Sequence, residues 1–222
     1  MENPWVNLRL TDGRYLLDMD RESIERLNSG LTDTAKLALD SIPEPFIGNP
    51  QSARVVMLLL NPGDGEGDRV AHKNEKFKTA LFRNLHHESM EYPFYPLNPD
   101  FKDKPTAQWW RPRLRKLQEA TKLDDRTLSE RLIAIEWFPY HSRYSGLPLD
   151  RICESQRYTF QLAREMLSSK VVLRMRAVNH WGAVDPRFRD LSSLKNPRAC
   201  YISERNTDTE CFSRIKAALT TN

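Results

Sequence analysis

The stretch Val-Val-Met-Leu-Leu-Leu-Asn-Pro-Gly at residues 55–63 decides the fold of this chain. Its six consecutive apolar residues have strand length and offer no polar face. Such a strand is typical of the centre of a parallel sheet that is covered on both sides. Asn61-Pro62-Gly63 ends the strand, because proline and glycine punctuate regular structure.

Three further strands and several helices are predicted along the chain. The strands are predicted at residues 132–138, 171–173 and 199–202. The helices between and after them are predicted at residues 74–87, 107–121, 126–131, 150–167 and 208–219. This alternation indicates a parallel sheet with right-handed crossovers. We therefore predict an α/β protein with three α/β/α layers and a central four-stranded parallel sheet.

The N-terminal part is predicted to be an extension, residues 1–42, packed on the same domain. It contains a hairpin over residues 5–19 with its turn at Asp12-Gly13, which suits a two-residue hairpin loop. Short helices follow at 21–28 and 33–39. Residues 89–105 are predicted to be an ordered loop, since a flexible linker has no use for their aromatic rings. Residues 1–222 thus form one predicted domain.

Composition limits the functional classes. The chain has 222 residues, a net charge of +4 and three widely spaced cysteines, which suggest neither a disulfide framework nor a metal knuckle. Its apolar runs are far shorter than the roughly 18 residues of a membrane span, and no secretory leader is visible. We expect a cytoplasmic protein, monomeric and without membrane contact. The mild basic excess favours a polyanionic partner.

Basic residues cluster near aromatic ones in two places. The first cluster is Arg111, Arg113, Arg115 and Lys116 beside Trp109 and Trp110, and the second is Lys170, Arg174, Arg176, His180, Arg187 and Arg189. Cations interleaved with rings suit phosphate contact and base stacking. The alternative is that both clusters are solvated helix faces whose stems cover apolar surface.

The candidate functional residues follow the predicted strands, because ligands of such sheets bind beyond the carboxyl ends of the strands. Segments 61–68, 139–146 and 203–206 are expected to meet there. The polar candidates are Asn61, Asp64, Glu136, Tyr140, His141, Ser203 and Asn206. Four of them have a structural alternative: a tight turn for Asn61, a solvated turn for Asp64, an edge position or an internal hydrogen bond for Glu136, and a helix cap for Asn206.

Several common sites are excluded or disfavoured by pattern. Asp64, Glu66 and Asp68 alternate with glycines like the front of a calcium loop, but Arg69 stands where that loop needs glycine. We therefore predict no metal site and no cofactor. The chain also lacks a Gly-x-Ser-x-Gly elbow, a phosphate-binding P-loop and the dinucleotide glycine spacing.

Pro-Phe-Ile-Gly-Asn-Pro at residues 45–50 precedes the strand that ends in Asn61-Pro62-Gly63. Together these two segments resemble the uracil-DNA glycosylase superfamily. The chain is most similar to the mismatch-specific branch, whose first motif also ends in Asn-Pro-Gly. The resemblance covers roughly residues 43–210 and implies a three-layer fold with a pocket for a flipped base.

The resemblance also implies roles for individual residues. Asn61 would position the attacking water, and Pro62 and Gly63 would border the base. Phe77 or Phe94 would stack on the base, Glu136 falls near the base-reading asparagine, and residues 203–206 fall where a second motif enters DNA. That second motif lacks its histidine and proline here, Glu136 is not an amide, and three cysteines cannot hold the cluster of the iron–sulfur branch.

Function is therefore predicted as recognition of a nucleic-acid base, with DNA favoured over RNA. The enzymatic version is a DNA glycosylase that hydrolyses the N-glycosidic bond of uracil or a damaged base, as in DNA repair. Two alternatives stay open: a non-catalytic nucleic-acid-binding module on the same fold, and a protein that binds a nucleotide or nucleobase.

Overall fold

A computed structural model describes residues 1–143 and 146–221 of the chain. The strands are β1 Leu10–Thr11, β2 Arg14–Tyr15, β3 Phe46–Ile47, β4 Val55–Leu59, β5 Leu132–Glu136 and β6 Val171–Arg174. The α-helices are α1 Arg21–Ser29, α2 Glu66–Ala71, α3 Glu75–Leu85, α4 Pro105–Thr121, α5 Asp125–Arg131, α6 Gln156–Met166, α7 Val178–Val184 and α8 Thr209–Thr220. Residues 144 and 145, part of the predicted loop 139–146, lie outside the described residues.

The apolar strand β4 lies inside the main sheet, whose strand order is β3-β5-β4-β6. It pairs in parallel with β5 on one side and β6 on the other, so that Met57 is opposite Ala134 and Leu173. All five residues of β4 and all five of β5 are buried. The predicted α/β sheet with β4 at its centre is confirmed.

The fourth strand of the sheet differs from the prediction. It is β3, which runs antiparallel to β5 and pairs Phe46 with Ile135. The predicted strand at 199–202 is wrong: Cys200 has a φ of +55°, which no strand residue adopts, and the amide of Ile202 bonds to the carbonyl of Arg113 in α4. The sheet is therefore mostly parallel with one antiparallel edge.

A glycine allows the chain after β3 to lie close to the backbone of β5. Gly48 follows β3 with a φ of +118°, and a Cβ at this position would lie 2.4 Å from the carbonyl oxygen of Leu132. Only glycine accommodates both the backbone conformation and this close approach. The amide of Gly48 donates to Asn84 Oδ1 at 2.9 Å, which ties the edge to α3.

Most predicted helices form within about two residues of their expected bounds. The start of α3 is capped by Asn74, whose side chain accepts from the amide of Phe77, and α5 is capped in the same way by Asp124. The helix predicted from residue 150 begins only at Gln156. Residues 33–39 form turns rather than the predicted helix, and α2 and α7 were not predicted.

The N-terminal segment contacts the loop that follows β5. Asp12 and Gly13 both have positive φ, so β1 and β2 join through the expected two-residue turn. The hairpin predicted over residues 5–19 is shorter than expected, because Pro4–Asn7 and Asp18–Asp20 form 3₁₀ helices and each strand has two residues. Trp5 is fully buried and meets the edge of the Tyr140 ring. The predicted loop at 89–105 is ordered by its buried rings, among them Phe94 and Phe101. Among the described helices, none has the length and apolar character needed to cross a bilayer.

Candidate functional site

A cavity of about 310 Å³ opens where β4, β5 and β6 end. Its position matches the rule that ligands bind beyond the carboxyl ends of parallel strands, and its volume lies near the lower end for small-molecule pockets. Asn61, Pro62 and Gly63 line it after β4, and Arg176 lines it after β6. Glu136, His141 and Ser142 line it from β5 and the following loop.

Asn61 joins two of the predicted loops. Its Nδ2 donates to the carbonyls of Pro62, at 3.0 Å, and Ser142, at 3.2 Å, and the amide of Ser142 donates to Pro62 in return. These bonds fix the orientation of the side-chain amide. Among the described residues no donor bonds to Asn61 Oδ1, so this oxygen can accept a hydrogen bond from water or from a ligand.

Asp64 has a different environment from Asn61. Its carboxylate holds the guanidinium of Arg69 through two bonds of 3.1 and 3.0 Å, and its carbonyl accepts from Arg143. The described residues that line the cavity do not include Asp64. A carboxylate occupied in this way is poorly placed to activate water, whatever its distance from a ligand.

Glu136 ends β5 and faces the cavity with one oxygen unused. The side chain is about nine-tenths buried, and its Oε2 has no hydrogen-bond partner among the described residues. Burial raises the pKa of the Glu136 carboxyl well above its usual range, the negative charge of Glu44 adds to this rise, and Arg176 opposes it. The carboxyl therefore favours its protonated form.

A second buried carboxyl, Glu44, also lines the cavity. The hydroxyl of Tyr95 donates to Glu44 Oε1, and His141 Nε2 lies 3.3 Å from its Oε2. Burial raises the pKa of the Glu44 carboxyl, while His141 and the bond from Tyr95 pull it back. Glu44 comes next to Glu136 because the amide of Glu136 bonds to the carbonyl of Pro45.

His141 is held by acceptors on both ring nitrogens. Its Nδ1 lies 2.6 Å from the carbonyl of Gly63, and its Nε2 lies 3.0 Å from the carbonyl of Ile42 as well as near Glu44. A neutral imidazole carries only one N–H, so the doubly protonated ring satisfies this arrangement best. His141 thus joins the loop after β5 to the backbone at Gly63 and Ile42 and lies beside the Glu44 carboxyl.

Glu44, His72 and His141 form a cluster whose nearest ligand-type atoms all lie within 4.8 Å of one another. However, His72 Nδ1 accepts a bond from the amide of Ile42, and burial followed by the charge of His141 lowers the pKa of His72 to about 2. The ring is therefore neutral with its proton on Nε2, which cannot then coordinate an ion. This hydrogen-bond pattern fits a polar network better than a metal centre.

Three predicted aromatic contacts lie in the core instead of the cavity. Tyr140 is buried and donates its hydroxyl to Asp20 Oδ2 at 2.7 Å. Phe77 packs edge-on against Phe101, and Phe94 packs edge-on against Trp110. None of these three rings is among the described residues that line the cavity.

The aromatic wall of the cavity comes from Trp109 and Trp110 of α4. Their rings are perpendicular, with centroids 4.7 Å apart. Sequence reasoning placed both in a basic and aromatic cluster but not in the site. It also missed Glu44, for which the one available signal was an acidic residue between two prolines in an otherwise apolar segment.

The third predicted loop is displaced from the cavity. Ser203 and Asn206 line a separate groove together with Tyr201 and Arg115. Asn206 binds backbone groups of Asn196 and Tyr201, and α8 is capped by Asp208 rather than by Asn206. Two of the three predicted segments therefore meet, and the third lines a neighbouring groove.

In comparisons with family models, with curated proteins and with solved structures, nothing matches this chain. The resemblance to uracil-DNA glycosylases therefore stays a prediction from the motif at Asn61-Pro62-Gly63.

Proposed function

We propose that the protein recognises a nucleobase extruded from a nucleic acid, with DNA favoured, and hydrolyses its N-glycosidic bond. The proposal includes the three-layer α/β/α arrangement of the family that the first motif resembles. The observation that carries it is the unpartnered buried oxygen of Glu136 in a cavity walled by Trp109. A buried polar atom without a partner is costly unless a ligand supplies one.

The cavity offers what a flat heterocycle needs. A base has two apolar faces and a polar edge, so it requires a ring to stack on and a hydrogen-bonding group at the edge. Trp109 and Trp110 provide the apolar wall, and Glu136 provides the edge contact. A protonated carboxyl has one O–H donor and one carbonyl acceptor, which is the pattern of a side-chain amide. Neutral Glu136 thus matches the N–H and carbonyl of a uracil edge.

Hydrolysis needs little more from the protein. The oxygen of a water held by Asn61 Oδ1 bonds to C1′ of the sugar, the C1′–N bond breaks, and the base leaves with the electron pair. The O–H of Glu136 donates to the base carbonyl where negative charge develops, and Arg176 adds a nearby positive charge. The proton released by the water neutralises the departing base.

The test is base release from short DNA that contains one uracil, single-stranded or mismatched. Asn61→Ala should lower the rate about 100-fold while binding persists. Glu136→Leu should weaken binding roughly 10- to 100-fold, whereas Glu136→Gln, which keeps a donor and an acceptor, should retain it within about threefold.

The matched control is Glu130→Gln, which changes an exposed carboxylate on α5 that pairs with Arg126. It should behave as the unmodified protein. If no substrate releases its base above background, the proposed hydrolysis is wrong. If the Gln and Leu variants at Glu136 bind equally well, the proposed contact between Glu136 and the base is wrong.

A second candidate, binding without cleavage, is favoured by one observation. The amide of Asn61 cannot take a proton from water, and the neighbouring carboxylate Asp64 is occupied by Arg69. Salt-dependent binding of uracil-containing DNA, with no base released, would support this candidate over the first.

A further inference from the structure

Two arginines from different parts of the chain meet at Trp109, which lines the cavity together with one of them, Arg176. Arg113 projects from α4, and its Cζ lies 4.0 Å from the ring centroid of Trp109. Arg176 follows β6, and its Cζ lies 5.8 Å from the same centroid. Both side chains are half-buried. The two basic clusters of the sequence thus converge on one tryptophan.

Neither guanidinium has a carboxylate oxygen within 4.0 Å among the described residues. Arg111 of the same helix, by contrast, pairs with Asp125 at 2.9 Å. Arg113 Nη1 donates to the carbonyl of Trp109, its Nε is buried without a partner, and Arg176 Nε donates to Cys200 Sγ. Burial lowers the pKa of Arg113, Cys200 and Tyr201 oppose this shift, and the like charge of Arg176 adds to it. Two adjacent, partly desolvated cations without an anion are unfavourable.

We propose that Arg113 and Arg176 together bind a phosphate group next to the base cavity. The association with a base in that cavity rests on the function proposed above, whereas the phosphate site itself rests on the two unpaired guanidiniums. Guanidinium forks match the geometry of phosphate oxygens. Trp109 holds the first guanidinium against its face, which leaves the edge of the fork for the ligand.

The surroundings favour the phosphodiester of a nucleic acid over the phosphate of a free nucleotide. Tyr201 is about half exposed, and its ring centroid lies 5.7 Å from Arg113 Cζ on the side of the neighbouring groove. An exposed ring beside a cation is the arrangement on which a flanking base of a strand can stack. A single nucleotide in the cavity would leave this ring unused.

The test measures binding of a labelled single-stranded DNA that lacks uracil, over a range of salt concentrations. Arg113→Met and Arg176→Met keep most of the side-chain volume and remove the charge. Each should weaken binding about 10-fold and reduce the slope of log Kd against log salt by roughly 0.7 for each phosphate that the variant no longer neutralises. Arg126→Met on α5, an exposed arginine near Glu91 and Glu130, is the matched control and should change neither quantity.

A second arm separates the two sources of phosphate. Thermal unfolding is followed with uridine and with uridine monophosphate. If a free nucleotide is the ligand, the monophosphate stabilises the protein more than uridine does, and both arginine variants lose the difference. The nucleic-acid version expects little difference between these small ligands. If uridine monophosphate raises the melting temperature more than uridine does, the proposal of a nucleic-acid phosphodiester is wrong, whereas the phosphate site itself is supported.

Wild-type affinity and salt slope in both folded arginine variants, together with no monophosphate effect, would overturn the phosphate site. These outcomes do not depend on base release, because the labelled strand contains no uracil. If only the base pocket is wrong, Glu136→Leu should leave the affinity for uracil-containing DNA unchanged, while the two arginine variants still weaken binding of the labelled strand. A melting curve of each variant shows whether it is folded. If one arginine variant does not fold, the other still tests the phosphate site.

Discussion

Asp20 and Glu136 are both buried carboxyls, but they differ in how their oxygens are used. Asp20 is fully buried, and its two oxygens accept from the hydroxyl of Tyr140 at 2.7 Å and from the amide of Ser155 at 2.9 Å. Glu136 is nearly as buried and leaves Oε2 without a partner among the described residues. The first group joins distant parts of the chain, and the second faces a cavity.

The difference separates stability from binding. A buried carboxylate with both oxygens bonded stabilises the fold, since removing it strands its donors. A buried carboxyl with an unused oxygen lowers stability, and a ligand that bonds to it recovers the loss. Substitutions at Asp20, Glu136 and Tyr140 test whether these two roles are separate.

The largest expected effect is on the Asp20 network. Asp20→Ala leaves the O–H of Tyr140 and the amide of Ser155 buried without an acceptor, which should lower the free energy of unfolding by about 3 kcal/mol. Urea unfolding measures this. The control is Asp18→Ala, which removes an exposed carboxylate paired with Arg21 and should cost less than about 0.5 kcal/mol. Equal effects of the two changes would remove the basis of the comparison.

The next effect has the opposite sign and depends on pH. The folded protein keeps Glu136 protonated above the ordinary carboxyl pKa, because burial raises its pKa. The unfolded chain releases that proton, so this group lowers the free energy of unfolding as pH rises, by at most about 1.4 kcal/mol per pH unit, until folded Glu136 ionises. Glu136→Gln should remove this contribution and be more stable than the unmodified protein near neutral pH.

Urea unfolding of both proteins between about pH 5 and pH 7 measures the difference. Buried His72, whose pKa is lowered to about 2, contributes a slope of the opposite sign, and this slope cancels between the two proteins. A difference in stability that is independent of pH would mean that Glu136 is ionised when folded, and the amide-like pairing with a base would then be wrong.

The smallest effect is expected for Tyr140→Phe. The change keeps the buried ring but removes a donor to Asp20 and the acceptor of the Leu17 amide, and it should cost about 1 kcal/mol. Base binding should be unaffected, because the hydroxyl points towards Asp20 and does not line the cavity. Tyr201→Phe, at an exposed ring, is the control for stability. Weakened base binding in Tyr140→Phe would show that the two networks are coupled.

The parts of the fold that the sequence predicted are those with a strong local pattern. Residues 55–60 and 132–138 contain strands because each combines an apolar run with burial on both faces. Strand β3 was missed because two residues between prolines carry no periodicity. The strand expected at 199–202 does not form, because Cys200 adopts a left-handed backbone conformation. Tertiary contacts hold this segment: the amide of Ile202 donates to the carbonyl of Arg113, and Arg176 Nε donates to Cys200 Sγ.

The sequence predicts those residues of the site whose positions depend only on where the parallel strands end. Asn61, Glu136 and His141 come together because β4 and β5 are parallel neighbours. Tyr140 and Phe94 did not join them, since the direction of a ring depends on packing that no local pattern specifies. Trp109 and Arg176 enter the cavity from elements far apart in sequence, so their meeting is a tertiary property.

The antiparallel edge strand determines which fragments of the chain can keep the complete cavity lining. Because β3 runs opposite to β5, residues just before its start reach the end of β5, and so Glu44 comes beside Glu136. A fragment that begins at about residue 50 would keep the three parallel strands but lack Glu44, the acceptor for Tyr95 and His141. A fragment that keeps the complete cavity lining therefore begins upstream of β3, well before Asn61-Pro62-Gly63.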